Sequence, residues 1–375
     1  MFNKNNNKMD SKRIIFFFSF LLLVSCTETQ QPNQPNNSNY TKPSAFILCE
    51  GLYNYNNATL TRYDISTNKS DNDFIGNNNP GYQLGDIAND ELIKGDSLFV
   101  LVSSSKVLYL INANTGRILK YISFEGDRYP RRLAIANDSI IYFSDAYDNS
   151  INEVNLNQSK ITNSIKVGPQ PEGLFVYRNK IYVVNSGWGD LNKANPEAGT
   201  LWIINLNSKN VEKKIYVGPN PVEIIPDSSN NRYFITYYNF PSEPDSLGGI
   251  LEYDLQTNTK LKQWRGNFTN VLFDESHNSL FTIVKDFSND STTFCSGIAK
   301  INLNDNTMKQ IIKNNIPQNI WYSLAFDKAR NYIWIGNAKN FQVNGEVLIY
   351  NFNNLELPIK SIETGINPNK IIFYN

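Results

Sequence analysis

The chain carries one histidine in 375 residues, His277. A Ser-His-Asp relay or an imidazole-based metal site would have to be built around it. Its neighbours, Glu275-Ser276-His277-Asn278, read as a short polar turn, so a solvated turn residue is expected rather than a catalytic one. Cys49 lies in a strand-like run and Cys295 in a loop, with no Cys-x-x-Cys pair and hence no redox motif. A disulfide between them is chemically allowed outside the cytoplasm, but two free thiols are the simpler expectation. Asp190, Asn192, Asn195 and Glu197 place hard oxygen ligands in one loop and could hold calcium. Their spacing is not that of an EF-hand, and no metal is assigned. No phosphate-cradling glycine pattern is present, and no cofactor is expected. Carboxylates from distant parts of the chain could converge, yet no pair stands out. These residues lead to the expectation that the chain is not an enzyme. Lys plus Arg number 35 against 35 Asp plus Glu, which leaves no basic field for nucleic acid.

What remains is binding, and whether side chains converge for it depends on the elements that carry them. Residues 165–189, IKVGPQPEGLFVYRNKIYVVNSGWG, read as a strand, a Gly-Pro corner, a strand, a tight Arg178-Asn179 turn and another strand. The corner returns as Val217-Gly218-Pro219-Asn220-Pro221, fifty positions after Val167, the mark of a repeat protein. Short runs of Tyr, Phe, Ile and Val separated by Asn, Asp, Gly and Pro turns give an all-β pattern. One strand per unit ends in a polar marker: Asp64, Asn112, Asn155, Asn205, Asp254, Asn302 and Asn351. The markers lie 48, 43, 50, 49, 48 and 49 positions apart, so seven markers imply seven units. Asn and Asp suit the place because the side chain can bond the backbone two residues on and start a turn.

Each unit divides into four antiparallel strands, in the fourth 173–177, 180–185, 200–205 and 211–217, the plan of a propeller blade. A lone four-stranded sheet cannot bury both faces, so the array must stack and close. Phe46-Ile47-Leu48 looks like a second strand with no first strand before it, and the run from Asn367 to Phe373 like a first strand with no second after it. The expected fold is a seven-bladed β-propeller over residues 45–375, its C-terminal strand completing the first blade.

In such a meander the connections from second to third strand and from fourth to next first strand share one face. That face gathers the long loops 51–58, 185–199, 239–249, 286–297 and 337–345, whereas the turns of the other are short and polar. Long loops on a rigid scaffold are where binding resides. Tyr53, Tyr55, Tyr82, Tyr129, Trp188, Tyr237, Tyr238, Phe240, Trp321 and Phe341 form an expected aromatic platform there. Arg131 and Arg132, at the start of a first strand, could reach the central funnel and meet an anion.

The stretch Gly168-Pro169-Gln170-Pro171-Glu172-Gly173 through Tyr182-Val183-Val184-Asn185 resembles the YVTN or YncE-like propeller repeat of bacterial and archaeal surface proteins. In the first unit, Cys49-Glu50-Gly51, Asn57-Ala58-Thr59-Leu60 and Leu84-Gly85-Asp86 are similar to the signature of YncE-like Bacteroidetes lipoproteins, with Cys49 in place of the usual Asn. That group includes BtuG-type cobalamin-capturing proteins seated over a TonB-dependent transporter. The resemblance implies non-enzymatic capture of a corrinoid on the looped face and its delivery to such a transporter. A glycan or protein ligand on that face is the alternative, and a lyase or hydrolase using funnel carboxylates the third.

Lys12 and Arg13 precede an apolar run at 14–24 that is too short to span a bilayer, which takes about 20 residues. With Leu23-Val24-Ser25-Cys26 it resembles a secretory leader ending in a bacterial lipobox, and Met9 offers an alternative start. The resemblance implies acylation at Cys26 after removal of the leader. Thr27 stands where the best-known inner-membrane retention signal has Asp, so outer-membrane attachment and a cell-surface location are expected. Residues 27–44, rich in Pro, Asn and Gln, read as a disordered tether.

Overall fold

All seven Asn and Asp markers close turns by the bond their side chains permit. Oδ1 of Asp64 accepts from the Ser66 N–H at 2.9 Å and Oδ1 of Asn112 from the Asn114 N–H at 3.0 Å, and the bond recurs at Asn155, Asn205, Asp254, Asn302 and Asn351. The next residue in each case (Ile65, Ala113, Leu156, Leu206, Leu255, Leu303 or Phe352) donates its N–H to the carbonyl just ahead of that unit's second strand. One short sequence signal thus ends the third strand and ties it back to the start of the second.

The computed structural model describes residues 42–188, 195–238, 248–287, 294–316 and 318–375. The leader, Cys26 and nearly all of the expected tether lie outside them. The strands form seven antiparallel sheets of four. The fourth blade runs Pro171–Tyr177, Lys180–Asn185, Thr200–Asn205, Val211–Tyr216 from its inner to its outer edge. In the first, the C-terminal Pro368–Tyr374 pairs with Ser44–Cys49, which pairs with Thr59–Asp64 and then Lys69–Asp71, so the ends of the propeller close on each other.

The other inner strands are Ala88–Lys94, Pro130–Ile135, Pro221–Asp227, Phe268–Asp274 and Trp321–Asp327. Each inner strand touches those of both neighbouring blades, so the seven ring an axis. Away from the axis the blades bury apolar faces against each other: Phe175 and Tyr182 of the fourth stack at 4.5 Å and abut Tyr233 of the fifth.

In every blade the pairing of inner and second strand slips near the start of the inner strand. Such bulges re-aim side chains. Here they let two consecutive residues, the second and third of each inner strand, line the axial cavity. The first residue is buried between blades: Pro in four of them, Ala88, Phe268 and Trp321 in the others.

The fourth residue is apolar in six blades (Leu133, Leu174, Ile224, Val271, Leu324, Ile371) but Glu91 in the second. Glu91 is wholly buried, and its carboxyl oxygens have no more than a weak contact from the Leu48 backbone. Burial pushes its pKa well above the ordinary carboxylate range, with the Lys370 ammonium pulling the other way. An acid held protonated in the fold but ionised in the unfolded chain costs stability as pH rises past its unfolded value. Glu91→Leu should therefore stabilise the propeller by about 1–3 kcal/mol near neutral pH and by less near pH 4. Thermal unfolding at both pH values checks this, and an equal or absent gain contradicts it.

Candidate functional site

The axial cavity opens among the loops and has a volume of about 1090 Å³. Four carboxylates (Glu50, Asp90, Glu172, Glu223) and three cations (Arg131, Arg132, Lys370) line it. Most are committed to their neighbours. Arg131 Nε donates to both oxygens of Glu172, at 2.9 and 3.1 Å, joining blades three and four. Lys370 Nζ pairs with Asp90, whose Oδ2 accepts from the Leu133 N–H at 2.7 Å. Glu223 Oε2 accepts from the Val271 N–H at 3.0 Å and the Thr236 hydroxyl at 3.2 Å.

Arg132 differs from its neighbour. The three hydrogen bonds of its guanidinium leave from Nη1, to the Asn89 carbonyl and Oδ1 and the Arg131 carbonyl, and among the described residues it joins no ion pair. The remaining edge of that guanidinium is a ready anion or oxyanion partner. Asn220 also lines the cavity, is only 3% exposed, and has no partner for Oδ1; Thr269 Oγ1 and Asn369 Oδ1 are likewise buried and unpartnered. Buried polar atoms seldom go unpaired unless a ligand or water serves them.

Glu50 is placed by the first-blade motif. Gly51, at φ +80°, leaves no room for a Cβ, which would lie 2.7 Å from the Ala58 nitrogen. Ala58 bridges Gly85, the Asn54 N–H donates to Asp86 at 2.9 Å, and the Leu52 N–H donates to Asn57 at 2.8 Å. The three motif pieces are thus one loop lock. The Glu50 backbone is held on either side, its N–H on the Asn367 carbonyl at 2.9 Å and its carbonyl under the Ala88 N–H at 3.2 Å. Its side chain accepts from the Tyr322 hydroxyl at 2.7 Å. Burial raises its pKa; the Tyr322 bond and the charges of Arg131 and Arg132 oppose that rise. Burial also raises Glu223, and it raises Tyr238 strongly, with the Glu223 charge adding to the effect.

Of the expected platform, Tyr129, Trp188 and Tyr238 line the cavity, as do Arg131 and Arg132. Tyr53, Tyr55 and Tyr82 are exposed but do not line it, and Tyr82 lies near Tyr109 of the second blade instead. Tyr237 and Trp321 are not platform residues. Tyr237 ends a second strand and is buried in the core between blades four and five, its hydroxyl accepting from Gln263. Trp321 takes the first position of an inner strand, where four other blades carry proline, and packs into the core of blades six and seven. Phe341 packs edge-on against Tyr322 at 5.2 Å and so supports the phenol that serves Glu50. Phe240, Asp190 and Asn192 lie outside the described residues. Glu197 pairs with Lys214 at 2.6 Å. His277 bonds Asp274 and Ser276 within one turn on the opposite face. Cys49 is a free thiol pushed by burial to about 11, and Cys295 falls within the strand Phe294–Asn302 rather than a loop. The sequence reading overlooked Glu50, Glu172, Glu223, Asn220, Tyr322 and Lys370. Aligning the units on the first inner-strand position, proline in four of them, would have put four of these, Glu172, Glu223, Tyr322 and Lys370, in two adjacent columns.

No protein-family model and no curated protein sequence matches the chain. Solved structures do. A quinonprotein alcohol dehydrogenase-like protein from Bacteroides thetaiotaomicron superposes with a TM-score of 0.65 at 12% identity, over 90% of this chain and 80% of that one. A putative 6-phosphogluconolactonase from Bacteroides fragilis gives 0.63 at 12% identity, over 91% and 100%. The periplasmic gluconolactonase of Pseudomonas aeruginosa gives 0.62 at 10% identity, over 88% and 99%. At such identities the likeness establishes the seven-bladed fold. It also corrects the expectation of a chain that is not an enzyme, because proteins named as lactonases share this scaffold. The expectation rested on finding no convergent carboxylates, and four converge in the funnel.

Tyr322→Phe removes the hydrogen bond that favours the ionised form of Glu50, so the Glu50 pKa should rise further. Carbon-detected NMR titration of glutamate-labelled protein would follow it, and an unmoved titration would show the bond to be electrostatically idle.

Proposed function

We propose that the funnel binds a small polyhydroxylated acid derivative and hydrolyses its lactone. The observation that carries this is the juxtaposition of Glu50, a carboxylate whose pKa burial raises, with Arg132, a guanidinium without a counter-ion among the described residues. A raised pKa makes the ionised carboxylate a better base. Water attacks the lactone carbonyl carbon while Glu50 takes its proton. Arg132 meets the charge that develops on the carbonyl oxygen. The ring carbon–oxygen bond then breaks, and Glu50 returns the proton to the departing oxygen. One water is consumed and nothing is oxidised or reduced. Asn220, Thr269 and Asn369 add polar side chains to the lining, as a hydroxyl-rich ring requires. The names of the lactonase neighbours agree with this chemistry.

Glucono-1,5-lactone and its 6-phosphate, followed by pH-stat against spontaneous hydrolysis, test the reading. Glu50→Gln should lower kcat/KM by about 10²–10³-fold with little change in melting temperature, and Arg132→Met by about 10²-fold. The rate should climb as pH rises through the elevated Glu50 value. Background rates from the folded wild-type chain on both lactones would refute it.

Corrinoid capture for a TonB-dependent transporter is the second reading. Exposed Tyr53, Tyr55, Tyr147 and Trp188 among the loops favour it, since flat exposed rings suit a macrocycle. Either function fits attachment to the outer membrane through a lipid on Cys26, which we infer from the lipobox-like residues. Cys26→Ser should move the protein from the membrane fraction to the soluble one on fractionation of the cells, and continued sedimentation with membranes would oppose the anchor.

A further inference from the structure

We propose that the funnel continues into a second subsite shaped for a pyranose ring, so that the substrate is a sugar acid lactone carrying a further glycosyl unit. This rests on the lactonase reading above. A rim pocket of about 440 Å³ lies between the third and fourth blades, lined by Asp127, Tyr147, Asn149, Gln170, Trp188 and Asn195. Tyr147, Gln170 and Trp188 also line the funnel, so the two spaces share a wall and lie side by side. Tyr147 and Trp188 are 58% and 63% exposed, offering ring faces to whatever enters.

These faces belong to a built structure. Tyr147 stacks on Tyr129 at 5.0 Å and 21°, and the Arg131 guanidinium lies 5.4 Å from the centre of the Tyr129 ring. The column therefore runs from the Arg131–Glu172 pair in the funnel outward to the rim. Buried Asp145 holds its backbone, with Oδ1 accepting from the N–H groups of Tyr129 and Tyr147 at 2.9 and 3.2 Å, while Oδ2 receives Arg128 at 2.9 Å. The floor is fixed as well. The Gln170 N–H donates to Asn149 at 2.8 Å, and the Ser186 and Gly187 N–H groups donate to the Gln170 and Pro169 carbonyls at 3.0 Å each. Aromatic faces bordered by amides and a carboxylate match a pyranose, which presents C–H groups on its faces and hydroxyls at its edge.

The test compares glucono-1,5-lactone with cellobiono-1,5-lactone, the same lactone bearing a glucosyl ring. The wild-type chain should prefer the disaccharide by about 10-fold in kcat/KM, mostly through KM. Trp188→Ala and Tyr147→Ala should each collapse that ratio, and Trp188→Phe and Tyr147→Phe should retain most of it. Equal use of the two lactones, or a ratio indifferent to the alanine variants, overturns the subsite. Calorimetric titration with gluconic and cellobionic acids reads the subsite without turnover. A preference for cellobionic acid that is lost in Trp188→Ala, with neither lactone hydrolysed, keeps the subsite and sinks the lactonase reading. Tight cobinamide binding abolished by Trp188→Ala, with no preference between the acids, also overturns the pyranose assignment.

Discussion

Closure of the inner-strand ring is the constraint on which everything else depends. A blade has no stable existence alone, and a ring of seven buries the faces of all its blades provided each inner strand is tied to the next. Polar side chains facing the axis make those ties. Lys370 and Asn369 reach the second blade, Arg132 reaches back to it from the third, and Arg131 reaches Glu172 in the fourth. Glu223 takes the Val271 N–H of the sixth, Asn270 reaches the Tyr322 carbonyl of the seventh, and Ser323 the Pro368 carbonyl of the first. The junction of blades four and five is made differently: Gly173 sits so close that a Cβ would lie 2.7 Å from the Val222 carbonyl. Subtracting the groups used in closure isolates those left for a ligand, chiefly Glu50 and the outer edge of Arg132.

Glu50 also belongs to the closure, through its backbone. It follows the strand that pairs with the C-terminal strand, and the N–H groups of Glu50 and Gly51 bond the carbonyls of Asn367 and Ile366. The candidate base thus stands on the seam where the chain's two ends meet, braced by Tyr322 from the seventh blade and Ala88 from the second. A side chain supported from three blades keeps its geometry without relying on loop order, which is what preorganised catalysis requires.

The blade count was legible in the sequence because an Asx turn is local: Asp64 or Asn205 needs only the next two residues to do its work. Closure was legible from the unmatched strands at 46–48 and 367–373. The site was less so, because a bulge decides which residues face the axis, and a bulge is a property of strand pairing. Counting aromatics by loop therefore gathered rim residues such as Trp188 with buried ones such as Trp321. The missing signal lay in the repeat itself. Pro130-Arg131-Arg132, Pro171-Glu172-Gly173, Pro221-Val222-Glu223 and Pro368-Asn369-Lys370 occupy one register, and residues that are polar where the repeat faces its own axis are neither core nor surface. Trp321 and Phe268 fall in the proline column of that register, which marks them as packing residues despite their size.

The charge of the funnel bears on how a lactone would pass through it. Four carboxylates face three cations, and burial raises the pKa of Glu50 and Glu223. A neutral lactone enters such a space without adding charge. The product of the hydrolysis proposed above would be a carboxylate, in a setting less polarisable than water where charges interact more strongly than in solution. Arg131 and Lys370 are neutralised by Glu172 and Asp90, so only Arg132 is positioned to hold an anion. On the lactonase reading, the guanidinium that meets the transient oxyanion is therefore also the one the product carboxylate would meet, because closure of the ring has already claimed the other two cations.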